Sequence, residues 1–394
     1  MRYRLARAIK AFVGKSKLLS LSLLLAAGWV LLFSAGERIP PVQSLLPAMT
    51  RCDGPSDPRI DELARWAQRH GLPGVQIAHV DAQGHMLGCA SGWSRFAPFP
   101  EQMRIDHRMR YASLSKLLTL ALALRMEAAG RLHPQDRVTN LLGIDGEFAD
   151  PRWHEITVAQ LMNHTAGFDR ELGGDPMFGP DPWCPDRLER LTTVRLDYRP
   201  GSRFAYSNVG YCLLGQVLAR IDGHPLPELI HHELFGPARP NAIRPAAGGR
   251  YADDEPGHFY ETPEDSRALL HMDYRVHLAS GGWGGTAADF AGWMRQAFGP
   301  ASPLLPAPVL AAALAAPAGC AIDRWRGCHV AGFYRYREGD ARTLFWRDGS
   351  MPGVTAFAAL FENGEVVVVL GNSRRIDWKP ANDALGREVY RLFR

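Results

Sequence analysis

The segment Tyr111-Ala112-Ser113-Leu114-Ser115-Lys116, which continues as LLTLALALRMEAAG, places a serine and a lysine at the start of a helix. The run from Ser113 to about Gly130 is apolar nearly all round, which predicts a helix buried at the centre of a domain. Residues three apart on a helix share a face, so the Ser113 hydroxyl would meet the Lys116 amine. The helix N-terminus and the Ser113 backbone N–H would stabilise negative charge on an attacked carbonyl oxygen. The segment therefore predicts Ser113 as a nucleophile for acyl transfer.

Lysine is rare in this chain, which gives Lys116 more weight than the short motif alone. Beyond residue 17 the lysines are Lys116 and Lys379, whereas arginine is frequent throughout. A desolvated amine can lose its proton near neutral pH, and a guanidinium cannot. The alternative is a surface lysine at a polar helix start, in a Ser-x-x-Lys that arises by chance. The composition favours a proton-transfer role for Lys116.

A second motif, Tyr206-Ser207-Asn208, lies between a turn at 199–202 and the helical run GYCLLGQVLARIDG. Together with Ser-x-x-Lys it resembles the group of class C β-lactamases, DD-peptidases and family VIII esterases, in which Tyr-x-Asn precedes a helix beginning Gly-Tyr. The segments LMNHTAG at 161–167 and Gly281-Gly282-Trp283, with Thr286 to Asp289, resemble accessory motifs of the same group. The resemblance covers about residues 58 to 394.

The resemblance implies a role for each residue of the second motif. Tyr206 would relay the proton from Ser113 to the leaving group, with its pKa lowered by neighbouring cations. Asn208 would donate a hydrogen bond to the substrate. The alternatives are a core tyrosine bonded to backbone and an asparagine in a turn. His164 suggests a serine–histidine pair, but in this group the equivalent histidine is structural, so we expect a turn-bonded histidine.

The third motif departs from the pattern of the group, which carries Lys-Thr-Gly or His-x-Gly on a strand beside the nucleophile. The best match here is Arg347-Asp348-Gly349, followed by Ser350. Arg347 would lower the pKa of Tyr206 or hold a substrate carboxylate in a bidentate fork, but it cannot shuttle a proton. Gly349 would let the substrate backbone approach the strand, and the Ser350 N–H would complete the oxyanion hole.

The order of predicted elements indicates the fold class. An amphipathic helix from Asp57 to about His70 precedes a hairpin formed by GVQIAHV and HMLGCASGW. A long, mainly helical insertion follows, and the chain then returns to strands at 329–336, 343–347, 354–361 and 365–370 before a last helix at 380–393. This order predicts an α+β protein with a β-lactamase/transpeptidase-like fold, in which helices flank an antiparallel sheet and an all-helical subdomain is inserted. Residues 58–394 would form this domain.

The N-terminal residues predict a membrane anchor. Residues 18–36 carry no charge and are just long enough to cross a bilayer as a helix. Basic residues before this run predict a cytoplasmic N-terminus and an extracytoplasmic, periplasmic body bound to the inner membrane. A cleaved signal peptide, which would leave a secreted protein, is the competing interpretation of residues 1–36. Residues 37–57, rich in proline, would be a linker.

Charge and cysteine content limit the partners and the compartment. The formal net charge of +4 comes from the leader, and the remaining chain has slightly more acidic than basic residues, so no nucleic-acid partner is expected. Six cysteines beyond the leader fit export. Cys320 and Cys328 are the best disulfide candidate, and Cys212 in an apolar helix would be a free core thiol. The cysteines lack zinc-ligand spacing. The sequence gives no prediction of oligomeric state.

The predicted function is that of a serine hydrolase that forms an acyl-enzyme on an amide or ester and needs no metal or organic cofactor. The substrate would be a small molecule or peptide, with D-Ala-D-Ala peptides or β-lactams favoured. The alternatives are an esterase on small esters and a catalytically silent penicillin or peptidoglycan sensor.

Overall fold

A computed structural model of the chain describes residues 49–95, 100–179, 181–236, 242–248, 252–260 and 271–394, together with residues 24, 28, 265, 268 and 269. The predicted membrane span at 18–36 lies outside these residues apart from Leu24 and Gly28. Within the described part of the chain, no helix combines the length and apolar character that crossing a bilayer requires.

The described residues build one large antiparallel sheet of nine strands, in the order β1-β3-β2-β12-β11-β10-β9-β8, with β4 at the side of β3. The predicted hairpin forms its first part, with Val75 opposite Ser91 and Ile77 opposite Cys89. β12 then joins the C-terminal strands to this hairpin along β2. The strands are β1 (Thr50–Cys52), β2 (Gly74–Val80), β3 (Met86–Arg95), β4 (Glu101–Gln102), β5 (Met109–Arg110), β6 (Arg244–Pro245), β7 (Trp283–Gly285), β8 (His329–Val330), β9 (Phe333–Tyr336), β10 (Leu344–Met351), β11 (Val354–Phe361) and β12 (Val366–Gly371).

Helices cover both faces of the sheet because alternate side chains of its central strands are apolar on each side. On β12, Val367 and Val369 pack with the first and last helices, whereas Val366 and Val368 pack with the central helices. The helices are α1 (Pro58–Arg69), α2 (Ser115–Ala128), α3 (Val138–Leu142), α4 (Val158–Met162), α5 (Asn208–Asp222), α6 (Leu226–Ile230), α7 (Ala287–Phe298), α8 (Ala307–Leu314) and α9 (Trp378–Phe393).

The insertion between β5 and β7 forms the predicted helical subdomain. It contains α2 to α6, and α2 is buried along nearly its whole length, as its apolar sequence predicts. A small sheet, β5-β7-β6, connects the subdomain to the rest of the protein. The arrangement is the expected α+β fold, and it places the start of α2 beside the end of β10.

The structure corrects three details of the sequence analysis. Thr50–Cys52 pairs with β3, so part of the predicted linker 37–57 belongs to the sheet. The predicted strand 329–336 is divided by a turn in which Ala331 and Gly332 adopt positive φ angles. Cys212 is not a free thiol, because a loop brings Cys184 to it; the disulfides are Cys52–Cys89, Cys184–Cys212 and the predicted Cys320–Cys328.

Candidate active site

The turn that carries Ser113 is strained and tightly enclosed. A 3₁₀ turn at Ala112–Leu114 leads directly into α2, so Ser113 stands just before the helix rather than inside it. Ala112 has a φ angle of 47°, which non-glycine residues rarely adopt and which is often found at functional sites. The turn presents Ser113 toward Tyr206, and the two hydroxyl oxygens lie 2.7 Å apart.

Lys116 is fully buried behind Ser113 and is held by two acceptors. Its Nζ donates to Asn208 Oδ1 at 2.6 Å and to the Ser280 carbonyl oxygen at 2.7 Å. Burial removes water from the amine and is the main reason that the pKa of Lys116 falls to about 8. Part of the Lys116 population is therefore neutral near physiological pH, which is the condition for accepting a proton.

The phenol of Tyr206 lies among three cations. Lys116 Nζ, Arg170 Cζ and Arg347 Cζ lie 4.9, 4.8 and 5.0 Å from the centre of its ring. Burial alone would raise the pKa of Tyr206, but the charges of Lys116 and Arg347 outweigh burial and bring the pKa to about 8. Tyr206 and Lys116 therefore ionise in the same pH range, and the pair can exchange a proton at little cost in free energy.

Asn208 begins α5 and is oriented by charged neighbours on both sides of its amide group. Its Oδ1 accepts from Lys116, and its Nδ2 donates to a carboxylate oxygen of Asp175. Asp175 belongs to the glycine-rich segment after Phe168 and was not a candidate in the sequence analysis. This contact fixes the Asn208 amide so that its oxygen faces Lys116.

Arg347 lies on β10 and points to the same side of the sheet as Phe345, toward the helical subdomain. Its side chain is 1% exposed, and Nη1 donates to the Gly332 carbonyl oxygen at 3.0 Å. Nε and Nη2 are buried without a hydrogen-bond partner among the described residues. The guanidinium is thus directed at the Tyr206 ring and is almost wholly shielded from solvent, in the wall of the pocket.

The Asp348 side chain points to the opposite side of β10, where it forms an ion pair with Arg326, a residue that was not a candidate in the sequence analysis. Arg326 Nη2 lies 2.7 Å from the Asp348 carboxylate, and Asn382 Nδ2 also donates to it. The charge of Arg326 outweighs the effect of burial and lowers the pKa of Asp348. Arg326 stands on the loop closed by the Cys320–Cys328 disulfide, so this loop fixes the strand that carries the third motif.

Gly349 and Ser350 occupy different surroundings. A Cβ at position 349 would lie 2.8 Å from the Tyr111 carbonyl oxygen and 2.9 Å from the Ser113 nitrogen. The close approach of the nucleophile turn to β10 therefore requires glycine here, and that turn fills the space predicted for the substrate backbone. Ser350 lines the pocket, and its Oγ is buried without a hydrogen-bond partner in the described structure.

His164 takes no part in the contact between Ser113 and Tyr206. It has a φ angle of 56°, and its Nδ1 accepts from the Ser207 backbone N–H at 3.2 Å. Burial holds the pKa of His164 well below its ordinary value, so the ring is neutral. These contacts are those of the turn-bonded histidine that the sequence analysis expected.

A cavity of about 550 Å³ opens above Ser113 and Tyr206. Arg170, Arg326 and Phe178 line it together with Arg347, and none of the first three was a sequence candidate. They lie in loops without a motif, so only the fold brings them to the site. A second cleft of about 620 Å³, between α7 and the β2–β3 hairpin, is lined by none of the predicted site residues. No cluster with metal-ligand composition occurs among the described residues.

Comparison with known proteins identifies the family of the chain. The sequence model of the Beta-lactamase family matches residues 59–389. The chain is 32% identical over 293 residues to a protein named putative fimbrial assembly protein FimD, serogroup D, of Dichelobacter nodosus, covering 73% of this chain and 72% of that protein. It is 26% identical over 204 residues to the D-alanyl-D-alanine-carboxypeptidase/endopeptidase AmpH of Escherichia coli K12, with 49% of each chain covered.

Solved structures share the fold at low sequence identity. D-amino acid amidase from Ochrobactrum anthropi SV3 superposes with a TM-score of 0.71 at 19% identity, covering 85% of this chain and 96% of that one. Beta-lactamase/D-alanine carboxypeptidase from Yersinia pestis superposes with a TM-score of 0.66 at 19% identity, covering 86% and 98%. The family match spans most of the chain and includes all three motifs. The chain belongs to the beta-lactamase family and is a serine hydrolase of that family.

Proposed function

We propose that this protein hydrolyses the terminal amide bond of short peptides that end in a free carboxylate, of the D-alanyl-D-alanine type, through an acyl-Ser113 intermediate. The observation that carries the proposal is the hydrogen bond between Ser113 and Tyr206, beside a buried Lys116 whose pKa is about 8. AmpH, which is similar in sequence, is named as a D-alanyl-D-alanine carboxypeptidase, and the Yersinia pestis protein as a D-alanine carboxypeptidase.

In the first half of the reaction, Ser113 Oγ attacks the scissile carbonyl carbon and loses its proton to Tyr206, in its phenolate form, with Lys116 adjusting the charge of the pair. The backbone N–H groups of Ser113 and Ser350 would bind the oxyanion. When the tetrahedral intermediate collapses, the C–N bond breaks and the leaving amine takes the proton from Tyr206. The product is an ester between the acyl group and Ser113.

In the second half, a water molecule attacks the ester and gives its proton to the same Tyr206 and Lys116 pair. The Ser113 oxygen leaves, recovers a proton, and the acid product is released. Each step needs one group that gains and then returns a proton near neutral pH, and the pKa values of about 8 for Tyr206 and Lys116 meet this need.

The charge of the pocket supports a substrate with a carboxylate. Among the described residues, its walls carry six basic side chains and three acidic ones, and one of the acids, Asp348, is already paired with Arg326. An anionic substrate would be attracted to such a cavity, and a neutral ester would gain nothing from it. The basic residues are Arg170, Arg203, Arg326, Arg347, Arg374 and Lys379.

We also propose that residues 18–36 anchor the protein in the inner membrane and that the catalytic domain lies in the periplasm. The uncharged run behind a basic N-terminus supports this location, and so do the three disulfides, which persist in oxidising compartments. The full-length protein should sediment with membranes. A mature N-terminus near Glu37 would contradict the anchor and indicate a cleaved leader.

Reaction with a labelled penicillin or a fluorophosphonate, followed by peptide mapping, tests the proposed chemistry. We expect one adduct on Ser113 and release of D-alanine from an N-acylated D-Ala-D-Ala peptide. A stable penicillin adduct without peptide hydrolysis would indicate the sensor, and hydrolysis of neutral esters alone would indicate the esterase. Absence of any adduct on Ser113 would contradict the proposal.

A further inference from the structure

The basic residues of the pocket differ in whether an acidic side chain of the protein already compensates their charge. Arg326 is paired with Asp348 and Asp383, and Arg374 is paired with Asp265 at 2.9 Å. Arg347 is buried, and its Cζ lies 5.0 Å from the centre of the Tyr206 ring. Carboxylates of the protein therefore compensate the charges of Arg326 and Arg374, and the Arg347 charge is directed at Tyr206. The other basic residues of the pocket are Arg170, Arg203 and Lys379.

Arg170 is held across the pocket by two aromatic rings. Its Cζ lies 4.8 Å from the centre of the Tyr206 ring and 5.7 Å from that of Trp378, at the start of α9. The loop after α4 thus extends an arginine from the helical subdomain toward the C-terminal helix. Stacking on ring faces fixes the position of a guanidinium and leaves its N–H edges free for hydrogen bonds.

The N–H groups of Arg170 are available to a ligand. Within the described residues its closest acidic group is Glu171, at 3.5 Å, and the Glu171 side chain is 76% exposed to solvent. An exposed ion pair between neighbouring residues contributes little free energy, so a ligand can readily take the place of Glu171. The Arg170 side chain itself is 26% exposed, so the guanidinium can be reached from the cavity that it lines.

The position of Arg170 relative to the reacting groups selects a type of ligand. It lies over the ring whose hydroxyl is 2.7 Å from Ser113 Oγ, so an anion bound to its N–H edge would lie close to the nucleophile. A carboxylate on the residue that leaves is such an anion, and its two oxygens match the N–H edge of a guanidinium. A neutral group at the same place would leave the positive charges around Tyr206 uncompensated.

We propose that Arg170 is the residue that binds the terminal carboxylate of the substrate and so selects peptides with a free C-terminus. This inference rests on the proposed function and names the group that sets its substrate class. The two arginines that contact the Tyr206 ring then have different roles: Arg170 binds the carboxylate, and Arg347 lowers the pKa of Tyr206. The other two basic residues of the pocket have different surroundings. The Arg203 Cζ lies 4.2 Å from the centre of the Tyr198 ring, and Lys379 is an exposed residue of the first turn of α9.

The test compares an N-acylated D-Ala-D-Ala peptide with the same peptide as its C-terminal amide, on the full-length protein. Arg170→Met should lower kcat/KM for the free acid by about 30-fold or more, as expected when a charge-assisted pair is lost, and change the value for the amide by less than about threefold. Arg170→Lys should recover only part of the loss because it restores the charge without the fork. Arg275→Met is the matched control, because Arg275 is 80% exposed, pairs with Asp273 and does not line the pocket; it should change both values by less than about threefold.

A second pair of reagents measures acylation alone, so that the proposal does not depend on turnover. The rate at which a penicillin acylates Ser113 should fall in Arg170→Met, whereas the rate for its methyl ester should not. Equal losses on acid and neutral reagents, or no loss on either, would overturn the role of Arg170 while Ser113 labelling keeps the proposed function intact. If neither pair reacts with the wild-type protein, the proposed function itself fails.

Discussion

Lys116 is the residue whose chemical type matters most at the site, because it must be buried and still lose a proton. Its amine donates hydrogen bonds to the Asn208 side chain and to the Ser280 carbonyl oxygen, and these two acceptors hold it in place. Arginine at this position would keep the charge but could not deprotonate at any accessible pH.

We expect Lys116→Arg to be nearly as damaging as Ser113→Ala. The Ser113→Ala variant should give no covalent adduct, and Lys116→Arg should reduce the acylation rate by about 100-fold or more, which is typical for loss of a general base. Acylation by a fluorescent penicillin measures both. If Lys116→Arg retained more than roughly a tenth of the wild-type rate, Lys116 would have an electrostatic or structural role only.

Arg347 should control the pH at which the enzyme becomes active. Its charge lowers the pKa of both Tyr206 and Lys116, so Arg347→Ala should raise both values above about 8. The basic form of the pair is then reached only at higher pH, and the rising limb of kcat/KM should move upward by about one pH unit. Arg347→Lys retains a cation and should leave the limb near pH 8.

The pH profile with a neutral ester and with a peptide acid separates the two predicted roles of Arg347. Because its side chain is buried against the Tyr206 ring, we expect both substrates to lose activity together. A loss confined to the peptide acid would show instead that Arg347 holds the carboxylate. Unchanged rates on both would mean that Arg347-Asp348-Gly349 is not the third motif.

At the scale of elements, the site depends on how closely β10 approaches the turn before α2. Only a glycine allows this contact, since a Cβ at 349 would meet backbone atoms of Tyr111 and Ser113 that cannot move independently. The loop closed by Cys320–Cys328 supports the same strand through Arg326 and Asp348. The geometry of Ser113 is therefore set by a strand and a loop that are distant in sequence.

Gly349→Ala should separate β10 from the nucleophile turn. We expect a loss of about 1–3 kcal/mol in the free energy of unfolding, as for other overpacked sites, and a fall in acylation rate of at least about tenfold. Gly292→Ala on α7 is the control, because its Cβ would meet only the flexible end of Met86 at 3.3 Å. Thermal unfolding and penicillin labelling test both variants. A fully active Gly349→Ala protein would contradict the proposed contact.

At the scale of the whole molecule, the folded body includes residues before the predicted domain boundary at 58. β1 pairs with β3 at the sheet edge, and Cys52 is joined to Cys89. Loss of β1 would expose that edge of β3 and free the Cys89 thiol, and loss of a native disulfide typically costs about 2–5 kcal/mol. Whether the residues before position 58 are present should therefore affect the stability of the folded domain.

We expect a protein that begins at Met49 to be soluble, fully active and more stable than one that begins at Pro58. The difference should appear as a lower midpoint of denaturant unfolding for the shorter protein, with a similar rate of Ser113 acylation per folded molecule. Equal midpoints would show that β1 and its disulfide contribute nothing to stability. Reduction of the longer protein should bring the two midpoints closer.

The class of fold and the catalytic motifs could be predicted from the amino-acid sequence alone. Periodic apolar residues identify the helices and strands, and Ser113, Lys116, Tyr206 and Asn208 occur in short local patterns that require no knowledge of long-range contacts. The hairpin and α1 were predicted correctly for the same reason, because their ends are marked locally by turn residues and by the capping Asp57.

These motifs are completed by residues that only tertiary packing brings to the site. Arg170, Asp175 and Arg326 reach the site from loops, and a loop residue acquires its neighbours only when distant elements pack, so no periodicity in the sequence reveals them. The pairing of Cys184 with Cys212 has the same origin, because six cysteines admit many pairings and only the folded chain selects one set. Burial, which adjusts the pKa values of Lys116 and Tyr206, is likewise a property of the packed protein and not of any segment.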